Sequence, residues 1–182
     1  MEVIKTIFKG LLVIQPKIIG DNRGYFFESF SLKKWEDTIG ETPSFVQDNE
    51  SMSKAGVLRG LHFQKPPFAQ GKLVRVVRGS VLDVVVDIRK SSDTYGQHFK
   101  IVLSEENKTQ LYVPEGFAHG FLTMENDTIF SYKCTNFYNQ KSEDGLLWND
   151  PDLEIDWSIQ NPILSEKDMN YKKFNNFDSP FN

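Results

Sequence analysis

An arginine, a histidine and a lysine lie within fourteen positions of one another in the segment Gly56–Lys72, which reads GVLRGLHFQKPPFAQGK. They are Arg59, His62 and Lys72. Because like charges repel, such a cluster at the ends of buried strands indicates an anionic ligand, although a solvated strand edge explains it equally well. Positive neighbours also favour the neutral form of an imidazole, which can then accept a proton. The segment therefore predicts either an anion-binding, proton-abstracting site or a basic strand edge.

The spacing of Arg59 and His62 places a condition on any shared pocket. In a regular strand, residues three apart face opposite sides. If both side chains serve one pocket, we expect a bulge at Gly60, or one of the two reaching a neighbouring subunit. On position alone, a histidine among apolar neighbours is more often a core residue than a catalyst.

Metal binding and nucleophilic catalysis are two further chemistries that these residue types could support. Double-sheet barrels of the cupin kind that bind a metal commonly use a His-x-His pair, a following Glu and a later histidine. Here the pair reads His62-Phe63-Gln64, and only His119, after Pro114-Glu115-Gly116, resembles the later ligand. We predict that there is no metal site. Cys134, the single cysteine, is expected to be a small buried hydrophobe rather than a nucleophile.

The elements that must position these residues are mostly short strands, separated by Gly, Pro and Asn turns. Besides the strand that follows Gly56, alternation predicts strands over Glu2–Ile7, Leu11–Ile19, Tyr25–Phe30, Lys72–Val77, Val81–Ile88, Phe99–Leu103, Gln110–Val113, Phe117–Met124 and Thr128–Tyr138. This pattern, without βαβ alternation, favours an antiparallel sandwich or barrel, and a jelly roll that encloses a pocket is its expected form.

Two helices are predicted at the periphery. The first spans Leu32–Ile39, with Ser31 as its N-cap and Gly40 just after its end. The second begins at Ser165 and runs towards Phe174. The residues after it are expected to form a loose tail. In the strand Val81–Ile88, Asp83 and Asp87 share one face, while the other is formed by Leu82, Val84, Val86 and Ile88.

Composition narrows the class of protein. A chain of 182 residues with 39% hydrophobic and 13% aromatic residues fits one domain, residues 1–182, with a sizeable core. The net charge of −4 argues against general binding to nucleic acid or to anionic membranes. No segment is long and apolar enough to span a membrane or to be a signal peptide, and one cysteine suits a reducing compartment. We therefore expect a soluble, cytoplasmic protein.

Six segments together resemble one enzyme family. They are DNRGYFFESF, QDNESMSKAGVLRGLHFQ, PPFAQGKLVRVVRGSVLDVVVDIR, YVPEGFAHGF, YKCTNFY and WNDPDLEIDW. In this order and spacing they resemble the dTDP-4-dehydrorhamnose 3,5-epimerases, over about residues 13–168. The resemblance implies a cupin-type jelly roll, a homodimer, and epimerisation at C3 and C5 of dTDP-4-dehydro-6-deoxy-glucose without metal or cofactor. It also implies a place in dTDP-rhamnose synthesis for cell-surface polysaccharide.

The same resemblance assigns roles to residues of this chain. His62 matches the general base, Asp168 the carboxylate that orients it, Tyr132 the proton donor and Tyr138 the ring that stacks on thymine. For Asp168, a capping arrangement with Ser165 is an alternative that is compatible with this role. Substrate-contacting positions are matched by Arg23, Glu28, Gln47, Asp48, Asn49, Arg59, Lys72, His119, Glu143 and Lys167. Glu28, Glu143 and Lys167 could equally be ordinary solvated charges.

The residue types suit this reaction. A 4-keto group acidifies the C–H bonds on both flanking carbons, so that inversion needs a base, an acid and a positive group near the enolate oxygen. His62, Tyr132 and Lys72 can fill these roles, with Tyr132 an acid of ordinary pKa about 10. Arg23, Arg59 and His119 are candidates for the diphosphate.

Three rival functions remain open from the sequence. An enzyme of the same fold could epimerise one carbon only, or move the ketone between C3 and C4. A metal-dependent cupin oxygenase and a non-catalytic nucleotide-sugar binder are the others.

Overall fold

The chain is built almost entirely from short antiparallel strands. A computed structural model describes residues 1–40 and 43–182. Its strands are β1 (Glu2–Lys5), β2 (Leu12–Gln15), β3 (Ile19–Asp21), β4 (Gly24–Phe26), β5 (Gln47–Ser53), β6 (Leu58–Gln64), β7 (Lys72–Arg78), β8 (Ser80–Asp87), β9 (His98–Ser104), β10 (Gln110–Val113), β11 (Phe117–Thr123), β12 (Thr128–Cys134) and β13 (Glu143–Gly145). One α-helix, α1 (Leu32–Ile39), lies between β4 and β5.

Eleven of these strands form two sheets. The first sheet has the order β1-β2-β10-β7-β12-β5, and the second has the order β13-β6-β11-β8-β9. Strands β3 and β4 pair only with each other, as a separate hairpin. All pairings between these strands are antiparallel. The predicted mainly β, double-sheet jelly roll of cupin type is thus confirmed.

The main core lies between the inner faces of the two sheets. Val74 and Phe130 contribute to it from the first sheet, and Val85 and Phe121 from the second. The rings of Phe121 and Phe130 stack with their centroids 4.1 Å apart. At one end of the sandwich the inward residues of both sheets are apolar and pack together. At the other end the inward residues are polar and line a cavity.

The outer face of each sheet is also covered. Helix α1 lays Trp35 on Leu73 and the other buried residues of the first sheet. The helix has the predicted caps: the Ser31 hydroxyl accepts a hydrogen bond from the Lys34 N–H, and Gly40 adopts a left-handed conformation with φ of 84°. The prediction of this helix is confirmed.

The C-terminal part of the chain covers the outer face of the second sheet. Leu153 and Trp157 pack there, and Phe177 and Phe181 lie against Phe63. The predicted helix from Ser165 is wrong: residues 166–169 form turns, and only Phe174–Asn176 make a single 3-10 turn. The segment extends because its aromatic residues are spread along the sheet rather than gathered on one helical face.

The predicted loose tail is also wrong. The Lys90 N–H donates to the Phe181 carbonyl at 3.1 Å, and the Ser179 hydroxyl donates to the Ile88 carbonyl. Ser179 is buried. These contacts fasten the last residues to the end of β8.

Three predicted strands run four residues beyond the observed end. Leu11–Ile19 breaks after Gln15, where Pro16 follows, and Tyr25–Phe30 ends as β4 at Phe26. Strand β12 ends at Cys134, so that Tyr138 is not on the strand that holds Tyr132. No helix in the described part of the chain is long and apolar enough to cross a bilayer.

Candidate active site

The candidate site is a cavity between the two sheets, with an inner chamber of about 220 Å³ that adjoins an outer one of about 540 Å³. His62, Lys72 and Tyr132 line both chambers. His62 projects from β6 of the second sheet, whereas Lys72 and Tyr132 project from β7 and β12 of the first. The predicted base and the predicted acid therefore lie on opposite walls of one cavity.

A bulge in β6 brings Arg59 and His62 to the same face. In the pairing with β11, Gly60 and Leu61 together oppose one residue, between the pairs His62–His119 and Arg59–Phe121. Gly60 has a φ of 133°, and a Cβ on it would lie 2.4 Å from the Gly120 Cα. Because only glycine fits this conformation and this approach, Gly60 permits the bulge. The bulge predicted from the spacing of the two residues is present.

Asp168 lies against His62. Its Oδ1 is 2.5 Å from the His62 Nε2, and its Oδ2 accepts a hydrogen bond from the Ser165 hydroxyl at 2.7 Å. Burial alone would raise the pKa of Asp168, but the hydrogen bonds from His62, Ser165 and the Gly60 main chain hold that pKa below its ordinary value. The side chain is thus an ionised carboxylate, and it fixes the orientation of the imidazole. The capping contact with Ser165 and the contact with His62 coexist, as the sequence allowed.

Tyr132 lies on the cavity wall opposite His62, next to the side chain of Asn49. Asn49 pairs with it across the β12–β5 ladder, and the Asn49 amide donates to the Cys134 Sγ at 3.6 Å. Burial raises the pKa of the Tyr132 phenol, and the Asn49 side chain opposes part of that rise. The phenol is therefore protonated at neutral pH and able to donate. Cys134 is buried, as expected for a small hydrophobe.

Lys72 and His119 line the inner chamber, and the buried carboxylate of Asp83 lies next to His119. The His119 Nε2 is 3.0 Å from each oxygen of Asp83, which is completely buried on β8. Burial lowers the pKa of the Lys72 ammonium. The Lys72 ammonium makes no hydrogen bond or ion pair within residues 1–40 and 43–182. It is available to a ligand.

Arg59 lies at the inner chamber together with His119. Its Nε and Nη2 each donate to the Ser53 hydroxyl at 3.2 Å, which leaves other guanidinium donors for an anion. Ser53 is the last residue of β5, in the opposite sheet. The basic cluster thus lines a cavity, and the alternative of a solvated strand edge does not describe it.

Four predicted residues lie around the outer chamber. The Tyr138 hydroxyl donates to the Glu143 Oε2 at 2.8 Å, and Lys167 forms an ion pair with the same carboxylate. The Tyr138 N–H donates to the Gln47 side chain at 3.1 Å. The Tyr138 ring is 56% exposed and can receive a flat ligand. Burial alone would raise the pKa of Glu143, but the hydrogen bonds from Lys167 and Tyr138 hold that pKa below its ordinary value.

Three predicted residues stand apart from this arrangement. Asp48 lies at the rim of the outer chamber, but its side chain is on the opposite face of β5 from Gln47 and Asn49. Its carboxylate accepts hydrogen bonds from the Lys133 ammonium of β12. Arg23 is at the tip of the β3–β4 hairpin, bonded to Asp21, with its side chain 85% exposed. Glu28 pairs with Lys34 of α1, outside both chambers.

Gln64 occupies the position where a metal-binding cupin has its second histidine. It is buried, and its amide donates to the carbonyls of Phe68 and Phe137 and accepts from the Asn139 N–H. Each of the two cavity histidines bonds to a carboxylate of its own. In the part of the chain that the structure describes, no group of three or more His, Cys, Asp or Glu is arranged to hold a metal ion.

Two residues beside the site received no role from the sequence. Asp83 was noted only for sharing a face with Asp87, although an aspartate at an inward position of an apolar strand is itself a signal of a polar partner. Tyr171 packs edge-on against His62, with 5.6 Å between ring centroids. Its buried hydroxyl has no hydrogen-bond partner among the described residues. Nothing local in the sequence marks Tyr171.

Comparison with known proteins gives consistent results. A family model described as dTDP-4-dehydrorhamnose 3,5-epimerase matches residues 5–176. The enzyme of that name from Shigella flexneri is 54% identical over 174 residues, which are 96% of each chain. The structure of the Legionella pneumophila 3,5-epimerase, solved with dTDP-4-keto-L-rhamnose, is 48% identical with a TM-score of 0.92 and covers 97% of this chain and 94% of its own.

A more distant neighbour has a narrower activity. The 3'-monoepimerase from Streptomyces bikiniensis, solved with dTDP-quinovose, is 32% identical with a TM-score of 0.88, over 92% of this chain and 85% of its own. Identity is thus higher with the Shigella flexneri and Legionella pneumophila 3,5-epimerases. The cavity, its opposed histidine and tyrosine, and the match over almost the whole length agree, and the chain belongs to the dTDP-4-dehydrorhamnose 3,5-epimerase family of isomerases.

Proposed function

We propose that this chain converts dTDP-4-dehydro-6-deoxy-D-glucose into dTDP-4-dehydro-L-rhamnose, a step of dTDP-L-rhamnose synthesis in the cytoplasm. The observation that carries the proposal is the placement of His62 and Tyr132 on opposite walls of one cavity. A sugar ring between them would meet a base on one face and an acid on the other. Inversion of a carbon next to a ketone requires this arrangement.

The first half-reaction moves a proton to His62. The imidazole takes the proton from the carbon next to the 4-keto group, and the C–H electron pair forms a C=C bond while the carbonyl pair moves to the oxygen. Asp168 stabilises the imidazolium that results, because its carboxylate lies 2.5 Å from the ring. The Lys72 ammonium, with no hydrogen bond or ion pair to a described residue, is the group placed to stabilise the enolate oxygen.

The second half-reaction moves a proton from Tyr132. Its phenol protonates the carbon from the opposite face, the enolate returns to the ketone, and solvent exchange restores both side chains. Repetition at the other flanking carbon completes the double epimerisation. The steps form and break only C–H and O–H or N–H bonds, so no electron acceptor is required.

We further propose that the nucleotide lies in the outer chamber. Tyr138 would stack on thymine, and Gln47, Asn49, Arg59, His119, Glu143 and Lys167 would contact the nucleotide sugar. Asp48 can contribute through its main chain, since its carboxylate bonds to Lys133. Arg59 supplies free guanidinium donors for phosphate oxygens.

The active unit is proposed to be a homodimer in which Arg23 and Glu28 act from the second copy. Both lie outside the cavity of their own chain. The β3–β4 hairpin beside them exposes Ile19 and Phe26, which a second copy could bury. A partner's hairpin would add one more cation to the diphosphate site.

Identification of the product tests the proposed reaction. Purified protein treated with a chelator is incubated with dTDP-4-dehydro-6-deoxy-D-glucose, and the ring configuration is read by NMR coupling constants. We expect inversion at C3 and C5. Inversion at C3 alone would instead support the monoepimerase function of the more distant neighbour, and dependence on added iron would support an oxygenase.

Mixing two inactive variants tests the dimer. If Arg23 acts in the partner's site, a mixed dimer of Arg23→Ala and His62→Asn chains contains one complete site. We expect activity to appear when the two variants are mixed and exchanged. Absence of recovery, with mixed dimers shown by native mass spectrometry, would contradict this arrangement.

A further inference from the structure

Asp83 is a buried carboxylate in the middle of an apolar strand. Its neighbours on the inner face of β8, Val81 and Val85, belong to the main core. The only hydrogen-bond partner of its carboxylate in residues 1–40 and 43–182 is the His119 Nε2, 3.0 Å from both oxygens. A well-packed apolar residue at such a position is often as stabilising or more so. Stability therefore does not explain this aspartate.

The contact fixes the ring of His119. With Nε2 facing Asp83, the Nδ1 atom is the nitrogen left for a ligand, and it makes no hydrogen bond to a described residue. His119 lines the inner chamber and pairs directly with His62 across the β11–β6 ladder. An unrestrained imidazole could rotate, whereas this one presents the same edge to the cavity.

Asp83 also acts on Lys72 through charge. Burial lowers the pKa of Lys72, and Cys134, Asp83 and Glu143 oppose that effect. Burial raises the pKa of the Cys134 thiol, so that it is neutral at working pH. Glu143 is already paired with Lys167 and Tyr138. Asp83 is thus the carboxylate left to balance the ammonium.

We propose that Asp83 is a positioning residue of the reaction, which orients His119 and supplies the buried negative charge opposite the Lys72 ammonium. Both side chains then face the sugar oxygen on which the enolate charge develops. This inference rests on the proposed epimerase function. It assigns Asp83 an effect on the rate of proton removal rather than on the affinity for the nucleotide.

Two substitutions separate the hydrogen bond from the charge. Asp83→Asn keeps an oxygen acceptor for His119 and removes the charge, while Asp83→Leu removes both. Asp87→Asn is the matched control, because Asp87 is equally buried on the same face of β8 and bonds to Arg89, Ser92 and Thr94 outside both chambers. Each variant is assayed as the full chain, with the concentration of folded protein determined.

The expected result is a loss of kcat with little change in KM. We expect Asp83→Asn to lower kcat by about 30-fold and Asp83→Leu by about 100-fold, within the range for loss of one electrostatic contact in a transition state. KM should stay within about threefold, since every side chain proposed to contact the nucleotide sugar is retained. Asp87→Asn should lower thermal stability and leave kcat of the folded enzyme unchanged.

The pH profile gives a readout that a purely structural role would not move. Loss of the anion destabilises the charged form of Lys72, so the basic limb of kcat should move to lower pH in Asp83→Asn. The other titratable groups around Lys72 are unchanged in this variant. They are Tyr132 and Cys134 of β12, Arg59 and His62 of β6, His119 of β11 and Glu143 of β13.

Several results would overturn the proposal. Wild-type kcat and pH profile in Asp83→Asn, or a change in KM alone, would remove the role of Asp83 while leaving the epimerase function intact. A wild-type chain that does not turn over the sugar nucleotide would refute the proposed function, and this inference with it. If neither variant folds, nitrogen NMR of wild-type histidines decides: a His119 ring that carries a proton on Nε2 is expected, and an Nε2 without a proton would contradict the proposal.

Discussion

Two neighbouring histidines of the second sheet each pair with an aspartate, and the two carboxylates are in opposite situations. Asp168 receives hydrogen bonds from His62, Ser165 and the main chain, which hold its pKa below the ordinary value despite burial. Asp83 faces His119 alone, and burial raises its pKa although His119 and Lys72 counter part of that rise. The Asp168 carboxylate thus has several hydrogen-bond donors, whereas the Asp83 carboxylate has His119 alone.

The opposite pKa shifts of Asp168 and Asp83 have opposite consequences for the stability of the fold. A carboxyl group whose pKa is lowered by folding stabilises the native state above its unfolded pKa, and one whose pKa is raised costs stability there. The pair at His62 is therefore compatible with folding, whereas the pair at His119 is retained at a cost. Buried charge of the second kind is typical of groups that a reaction needs.

Replacing the base should have the largest effect. We expect His62→Asn to lower kcat by about 10³-fold or more, because no other side chain takes the proton from carbon. His98→Asn is the control, since His98 bonds to the Leu153 carbonyl away from the cavity. Turnover by His62→Asn at the wild-type rate, measured by NMR of the sugar, would assign the base to another residue.

Replacing Lys72 should reduce the rate less. We expect Lys72→Met to lower kcat by about 10²-fold, because it removes the cation nearest the proposed enolate while keeping the length of the side chain. Deuterium uptake from heavy water should slow in parallel with product formation. Lys100→Met, on the exposed side of β9, is the control and should be unaffected. A change confined to KM would place Lys72 on the diphosphate instead.

Replacing the acid should separate the two half-reactions. We expect Tyr132→Phe to lower the rate of product formation by about 10²-fold, with a smaller effect on loss of the substrate proton, since His62 is intact. Comparison of deuterium wash-in to substrate with epimerised product measures this separation. Equal losses of both rates would show that Tyr132 already acts before or during proton removal.

The dependence of unfolding free energy on pH should distinguish Asp168 from Asp83. Of the four predictions, this one concerns the smallest effect. At pH 7 we expect Asp168→Asn to lose about 2 kcal/mol of unfolding free energy, as for a buried hydrogen bond to a charge. This loss should disappear as the pH falls below the unfolded value of 3.8 through the lower folded pKa.

Asp83→Asn should behave in the opposite way. Because the folded pKa of Asp83 is raised, the wild-type chain loses stability as the pH rises from 3.8 through that pKa, and the variant should not. Urea denaturation from pH 3 to 7 measures both curves. Parallel curves for the two variants would remove the contrast between the pairs.

The sequence predicted the sheets well because their signal is local. Alternation of apolar residues identified ten of the strands, and Ser31 and Gly40 marked both ends of the one helix. The bulge at Gly60 was also predictable, since two basic residues three apart can share a pocket only if the strand is irregular. The segment resemblance supplied the roles of His62 and Tyr132.

What the sequence did not predict depends on distant contacts. The segment after Ser165 resembles a capped helix, but its aromatic residues pack across the second sheet. Strand β12 ends at Cys134, and beyond it the Asn136 side chain bonds to the Phe137 N–H and to the distant Pro67 carbonyl. The partner of Asp83 lies 36 residues away, on a strand whose register only the folded sheet sets.

Deuterium incorporation tests the central claim most directly. The wild-type chain and His62→Asn are each incubated with dTDP-4-dehydro-6-deoxy-D-glucose in heavy water that contains a chelator, and C3 and C5 are followed by NMR. We predict that the wild type incorporates deuterium at both carbons and that His62→Asn does so at neither. Label at both carbons in the variant, or at neither in the wild type, would contradict the assignment of His62 as the base.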